Sequence, residues 1–224
     1  MTRTERLNEL FSEWEASKSD YVGNFCPDGI VDEECYEKAA RRVLFVLKEP
    51  NAHHEDSCDH ARNFAQGRDK SNAAWRNLAY WSYGILRGFP LFSQVKGDPA
   101  YPQILYEIAV MNLKKTPGGS SAKKTEILRF ALGSSNQVFI RREFEIIAPQ
   151  IIISCVGPET RVDELHEAVR NLLAPGAPWL RSRNGVFYLR FEAGLLVAFA
   201  HPDGRFVDAD LYNYLPGETQ AIVQ

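Results

Sequence analysis

The feature that most constrains the fold is a run of consecutive apolar residues, VLFVL at residues 43–47, that passes directly into a lysine, a glutamate and a proline. A strand that is apolar at every position must be covered on both faces, as in parallel sheets with helices on either side. Similar runs, QIIISCVG and LLVAFA, occupy residues 150–157 and 195–200. The three runs predict a central sheet of buried strands.

Segments with helical periodicity alternate with these runs. We expect helices over residues 4–18, 33–42, 72–86, 136–147 and 159–173, a further strand over 104–111, and a hairpin that turns near Ala193 and Gly194. This alternation predicts an α/β fold, a three-layer α/β/α sandwich with a central, mostly parallel four-stranded sheet. No repeat or low-complexity linker divides the chain. We therefore expect a single domain over residues 1–224, with an N-terminal helical extension at about residues 1–40.

Composition narrows the class of protein. A chain of 224 residues with 45% hydrophobic residues can build a substantial core. Its formal net charge of -3 argues against a highly basic protein that coats nucleic acid, although it allows a local basic groove. The four cysteines include no C-x-x-C pair, so we expect free thiols. Without a signal peptide or a membrane-spanning run, we expect a cytoplasmic protein that does not contact a membrane.

Polar side chains follow three of the predicted strands where each one ends. Glu49 follows the first strand, Asn112 the second, and His201 the last. In an open parallel sheet, ligands bind beyond the carboxyl ends of the strands, so these side chains predict a candidate active site. Each also has a purely structural interpretation, as a solvated carboxylate, a turn-forming asparagine and a packed histidine.

Four segments resemble, in their order along the chain, the motifs of the uracil-DNA glycosylase superfamily. These segments are FVLKEPN, IAVMNLKKTPGG, REFEIIAPQIIISCVG and LLVAFAHPDGR, and they are distributed over the region of residues 43–206, most of the chain. They match a strand followed by a carboxylate and proline, a strand ending in asparagine, a β-branched strand ending in glycine, and an apolar strand ending in His-Pro. The chain departs from the family at Leu47, Asn51 and Asp203, where members carry glycine, tyrosine (in uracil-specific enzymes) and serine.

The resemblance implies a DNA base-excision enzyme that hydrolyses the N-glycosidic bond of a deaminated or damaged, uracil-type base. Glu49 would orient the attacking water, and His201 would stabilise the departing base. The extruded base would be read by the Asn112 amide. The remaining base contacts implied are Pro50, Asn51 and the stacking residue Phe64.

The most basic stretch of the chain is the Gly/Ser-rich loop NLKKTPGGSSAKK at residues 112–124. Such a loop suits phosphate contact, although a solvated loop has the same composition. The expected DNA contacts are Lys114, Lys115, Lys123, Lys124 and Arg205. The partner would be single- or double-stranded DNA with a modified base, and we expect a monomer.

We expect neither a cofactor nor a metal ion. The cysteine spacing does not match the iron-sulfur branch of the superfamily. The histidine, cysteine and aspartate residues at positions 53–60 are of metal-ligand types, but their spacing favours a solvated polar loop.

Two other functions stay open. The same fold can bind nucleic acid without turnover, which the departures at Leu47 and Asp203 favour. Alternatively, the cleft at the strand ends can hold a soluble nucleotide or another small molecule, which the mildly acidic net charge allows.

Overall fold

A mixed, open sheet of seven strands organises the part of the chain that the computed structural model describes, namely residues 1–50, 73–118, 122–192, 194–204 and 208–215. The strands are β1 (Gly29–Ile30), β2 (Val43–Leu47), β3 (Ile108–Asn112), β4 (Ile151–Gly157), β5 (Leu180–Arg181), β6 (Phe187–Phe191) and β7 (Gly194–Ala200). The helices are α1 (Arg3–Ala16), α2 (Glu33–Lys38), α3 (Ala73–Arg87), α4 (Phe92–Gly97), α5 (Lys124–Ala131), α6 (Ser134–Ile147), α7 (Glu164–Leu173) and α8 (Asp208–Tyr214). Short 3₁₀ helices cover Ser19–Tyr21 and Tyr101–Glu107.

The strand order is β1-β3-β2-β4-β7-β6-β5. The neighbours β3, β2, β4 and β7 pair in parallel, whereas β1 pairs antiparallel with β3 at one side, and β6 and β5 continue antiparallel from β7 at the other. The sheet is therefore larger than the four strands expected. Two of the added strands, β1 and β5, have only two residues each, too few to show a periodicity in the sequence.

Apolar side chains cover both faces of the central strands. In β2, Leu44 and Val46 pack in a cluster with α1, α5, α6 and α7. The alternate residues, Val43 and Phe45, pack in a second cluster with α3, α4 and α8. All four side chains are fully buried, which is why the sequence is apolar without interruption at this point.

Several element boundaries differ from those expected. Residues 101–107 form a 3₁₀ helix rather than the start of β3, since Ile104 and Leu105 are buried where this segment packs against α3. Helix α7 begins at residue 164 rather than 159. Its N-cap is Asp163, whose side chain accepts hydrogen bonds from the backbone N–H groups of residues 165 and 166. Helices α4, α5 and α8 were not expected.

A cluster of buried charges joins α1, α6 and the segments next to β1 and β3. Lys115 Nζ contacts Asp28 Oδ1 and lies 2.8 Å from Glu143 Oε1, and all three side chains are fully buried. The ammonium also lies 5.5 Å and 5.6 Å from the ring centroids of Phe11 and Trp14. Lys115 therefore does not occupy the phosphate-contacting position expected of it, because its charge is enclosed in the core.

The surroundings of Glu143 favour the protonated form of its carboxyl group. Burial raises the pKa of the Glu143 carboxyl well above its usual range. The Lys115 ammonium opposes this shift, and the nearby Asp28 carboxylate adds to it. With Glu143 protonated, one ammonium and one carboxylate remain, which avoids an uncompensated buried charge.

The cysteines do not all carry free thiols. Cys26 forms a disulfide, whereas Cys35 and Cys155 are free. The expectation of free thiols is therefore wrong for Cys26. Spacing along the chain could not reveal this bond, because disulfide formation requires proximity in the folded chain.

Replacing Lys115 with methionine is expected to destabilise the protein strongly, since two buried carboxyl groups lose the cation that they share. The free energy of unfolding in urea should fall by about 3–5 kcal/mol, the typical cost of removing one partner from a buried ion pair. The matched control is Lys123→Met, which removes an exposed lysine paired with Glu126 and should leave stability nearly unchanged. Equal stability of the two variants would contradict a stabilising role for the cluster.

Candidate functional site

The four parallel strands bring their carboxyl ends to one edge of the sheet. In the order β3, β2, β4, β7, these ends carry Asn112, Glu49, Gly157 and His201. With neighbouring strands spaced about 4.8 Å apart, the row spans roughly 14 Å. This edge holds three of the side chains that the sequence predicted as a site, and it is where an open parallel sheet binds ligands.

Glu49 lies under the loop that follows β3. Its Oε2 atom is 2.6 Å from Lys114 Nζ, and the two side chains are only 6% and 11% exposed. Lys114 Nζ also donates to the Pro117 carbonyl at 3.2 Å, while the Gly118 N–H donates to the Pro50 carbonyl at 3.1 Å. A Cβ atom on Gly118 would lie 2.1 Å from Glu49 Cδ, so only glycine allows the loop to approach this closely. The carboxylate is thus ion-paired and covered.

His201 is held in its neutral form. Burial lowers the pKa of its imidazole to about 4, with a further decrease from the Lys48 charge and an opposing effect of Asp203. The backbone N–H of Asp203 donates to Nδ1 at 3.3 Å, so the neutral ring carries its proton on Nε2. The next carbonyl, that of Pro202, accepts a 2.7 Å hydrogen bond from the buried Asn77 amide on α3. His201 can therefore donate a hydrogen bond from a fixed loop.

Asn112 is buried and anchored by a carboxylate. Its backbone N and its amide Nδ2 both donate to Asp28 Oδ2, at 2.7 Å and 3.2 Å. The other oxygen of Asp28 contacts Lys115. This contact fixes which way the amide points, because the nitrogen must face the carboxylate. The contact with Asp28 uses one amide proton of Asn112. The amide can form further hydrogen bonds through its second proton and through its oxygen.

A second histidine at this edge was missed by sequence reasoning. His166, in the first turn of α7, is fully buried, and its Nε2 lies 3.2 Å from the Ser154 carbonyl. Its ring packs onto Gly157, where a Cβ atom would lie 2.5 Å from His166 Cε1. Burial lowers the pKa of this imidazole, whereas Asp163, 3.4 Å from Nδ1, raises it. The signal was the D-x-x-H pattern at 163–166, which marks the true start of the helix.

The remaining predicted residues differ in their surroundings. Pro50 is buried beside Glu49. Lys123 and Lys124 are exposed at the start of α5 and pair with Glu126 and Glu164. The predicted site residues Asn51, Phe64 and Arg205 lie outside the described residues. The residues of metal-ligand type at positions 53–60 also lie outside them.

The described residues lack both a metal-ligand cluster and a membrane-spanning helix. They contain no group of three or more His, Cys, Asp or Glu side chains that could hold a metal ion. In the same part of the chain, every helix is too short or too polar to cross a bilayer.

Comparison with known proteins adds no family assignment. No protein-family model matches the chain, and a search of curated proteins finds no match. The functional interpretation therefore depends on the geometry at the strand ends.

The lowered pKa of His201 predicts a loss of stability in acid. A base whose pKa falls from 6.5 to about 4 on folding contributes stability that is present above pH 6.5 and lost as the pH falls to about 4. His201→Asn keeps an acceptor for the Asp203 N–H but cannot be protonated in this range. The free energy of unfolding should therefore decline less steeply over this interval in the variant. An identical decline in both proteins would mean that His201 is not held neutral.

Proposed function

We propose that the chain is a divergent member of the uracil-DNA glycosylase-like superfamily. It would be a three-layer α/β/α domain that hydrolyses the N-glycosidic bond of a deaminated or damaged, uracil-type base in DNA. Supporting this, the four family-like segments of the sequence contain residues of β2, β3, β4 and β7, which are four neighbouring parallel strands.

A single observation carries this assignment: a buried carboxylate and a neutral imidazole lie on the same edge, on either side of the Gly157 strand end. Both groups accelerate the hydrolysis of an N-glycosidic bond. A carboxylate orients water and supports the positive charge that develops on the sugar, and a neutral N–H donor stabilises the negative charge on the departing base. In this mechanism Glu49 takes the first role and His201 the second.

Base recognition is assigned to the groups around this pair. The Asn112 amide, oriented by Asp28, would read the edge of an extruded base. Pro50, Asn51 and Phe64 would form the remaining base contacts. The DNA backbone would meet Lys114, Lys123, Lys124 and Arg205, and the protein would act as a cytoplasmic monomer.

A second candidate function follows from the covering of Glu49. Its carboxylate is already neutralised by Lys114 and closed off by Gly118, so both contacts must loosen before the carboxylate can hold a water. This favours a member of the same fold that binds nucleic acid, or a small nucleotide, without turnover.

Glu49→Gln is the direct test of turnover. Oligonucleotides containing uracil, hypoxanthine or xanthine, single- and double-stranded, would be assayed for release of free base. The variant should lower kcat by roughly 10²- to 10⁴-fold with little change in KM, because the amide cannot accept the proton of water. The matched control is Glu9→Gln, an exposed residue of α1, which should leave kcat unchanged.

Absence of release by the wild-type protein across this panel would remove the glycosylase assignment for those bases. Binding measurements then separate the remaining functions. Salt-dependent DNA binding without cleavage would identify the silent nucleic-acid-binding form. A raised thermal midpoint with nucleotides but no DNA binding would identify the small-nucleotide form.

A further inference from the structure

Lys48 is the first residue after β2, and its side chain is half-buried at the edge where the parallel strands end. Its backbone continues the sheet, because the Lys114 N–H donates to the Lys48 carbonyl at 3.0 Å. Lys114 and Lys115 both contact carboxylates. By contrast, no side chain in the described ranges forms an ion pair or a hydrogen bond with the Lys48 ammonium.

The strand register brings Lys48 and His201 to either side of the end of β4. Val46 lies opposite Ser154 in β4, and Gly157 lies opposite Ala200 in β7. The His166 ring packs onto Gly157, at the strand end that lies between Lys48 and His201. Burial is the main cause of the lowered pKa of His201, on the loop after β7, and of His166, on α7. The positive charge of Lys48 lowers both pKa values further.

The charges at this edge do not cancel. Glu49 is neutralised by Lys114, and the burial of both histidines favours their neutral forms. Asp163 accepts hydrogen bonds from the first turn of α7, and Asp203 is exposed. Among the described residues, Lys48 therefore remains a half-buried cation without a partner, at the same sheet edge as a neutral N–H donor. Such a pair attracts a negatively charged ligand.

We propose that Lys48 and His201 together bind the anionic form of the released pyrimidine-type base, with Lys48 supplying the charge and His201 the hydrogen bond. This role rests on the proposed glycosylase function and adds a charged group to its site. A neutral imidazole donates a hydrogen bond but carries no net charge. An ammonium at the same edge stabilises an anion by Coulomb attraction, which is stronger where the site is partly buried.

Hydrolysis of the glycosidic bond requires no reactant other than water. The bond between sugar C1′ and the base nitrogen breaks, and its electron pair leaves on the base. A water oxygen forms the new bond to C1′, and the proton of that water passes to Glu49. The base leaves as an anion, held by Lys48 and His201, and takes a proton from solvent on release.

Lys48→Met tests the charge, with Lys48→Arg as the conservative variant and the exposed Lys96→Met as the control. The substrates are one single-stranded oligonucleotide carrying either uracil or 5-fluorouracil, whose fluorine stabilises the base anion. Lys48→Met should lower kcat for uracil by about 100-fold, the usual effect of losing one stabilising group. The loss should be smaller for 5-fluorouracil. Lys48→Arg should restore most of the rate, and Lys96→Met should change nothing.

Equal losses for the two bases, or no loss, would remove Lys48 from the site while leaving the glycosylase function intact. NMR titration of the His201 imidazole provides a readout that does not depend on turnover. Its pKa should stay near 4 in Lys48→Arg and rise in Lys48→Met while remaining below 6.5, because burial is the larger cause of the decrease. An unchanged pKa in Lys48→Met would contradict the proximity of the two side chains.

If the wild-type protein releases no base, the glycosylase function fails, and binding decides the anion site separately. Free 5-fluorouracil would be titrated into wild type and Lys48→Met at a pH where the base is partly anionic. Tighter binding to wild type that increases with pH supports the site. Equal binding by both proteins, or none, overturns it.

Discussion

The Asp28 carboxylate is the contact on which the arrangement of the candidate site most depends. One oxygen accepts from the backbone and amide of Asn112, and the other contacts Lys115, which also reaches Glu143 on α6. A buried carboxylate is stable only when its charge and lone pairs are satisfied. Asp28 therefore requires the end of β3, the core lysine and helix α6 to be in place together, and the site cannot form independently of the core.

The loop after β3 is held from both faces of the sheet. Successive side chains of an extended segment point to opposite sides. Lys115 accordingly enters the cluster that contains Phe11 and Trp14, whereas Lys114 reaches Glu49. The two neighbouring lysines of this loop thus have different roles: Lys114 pairs with a carboxylate of the candidate site, and Lys115 pairs with carboxylates in the core. Gly118 then brings the same loop down onto the Glu49 carboxylate.

The sequence was sufficient for the buried strands and for the edge at which Glu49, Asn112 and His201 lie, because uninterrupted apolar runs and their polar ends are local signals. It could not reveal the burial of Lys115, because its partners Asp28 and Glu143 are 87 and 28 residues away along the chain. The residues next to Lys115 indicate only a basic loop. His166 was missed because the start of α7 depends on the Asp163 cap. The sequence does not distinguish Lys48 from its neighbours, since only the surrounding ion pairs show that it lacks a partner within the described ranges.

The two-residue strand β1 sets the register of the whole site. Gly29 pairs with Val110 and Ile30 with Ala109, which fixes Asp28 beside the end of β3. Because side chains alternate, a shift of one residue would turn Asp28 away from Asn112 and Lys115. A single insertion between residues 28 and 30 would therefore separate the amino-terminal region from the site. One of the two shortest strands in the sheet thus fixes the position of the Asp28 contacts.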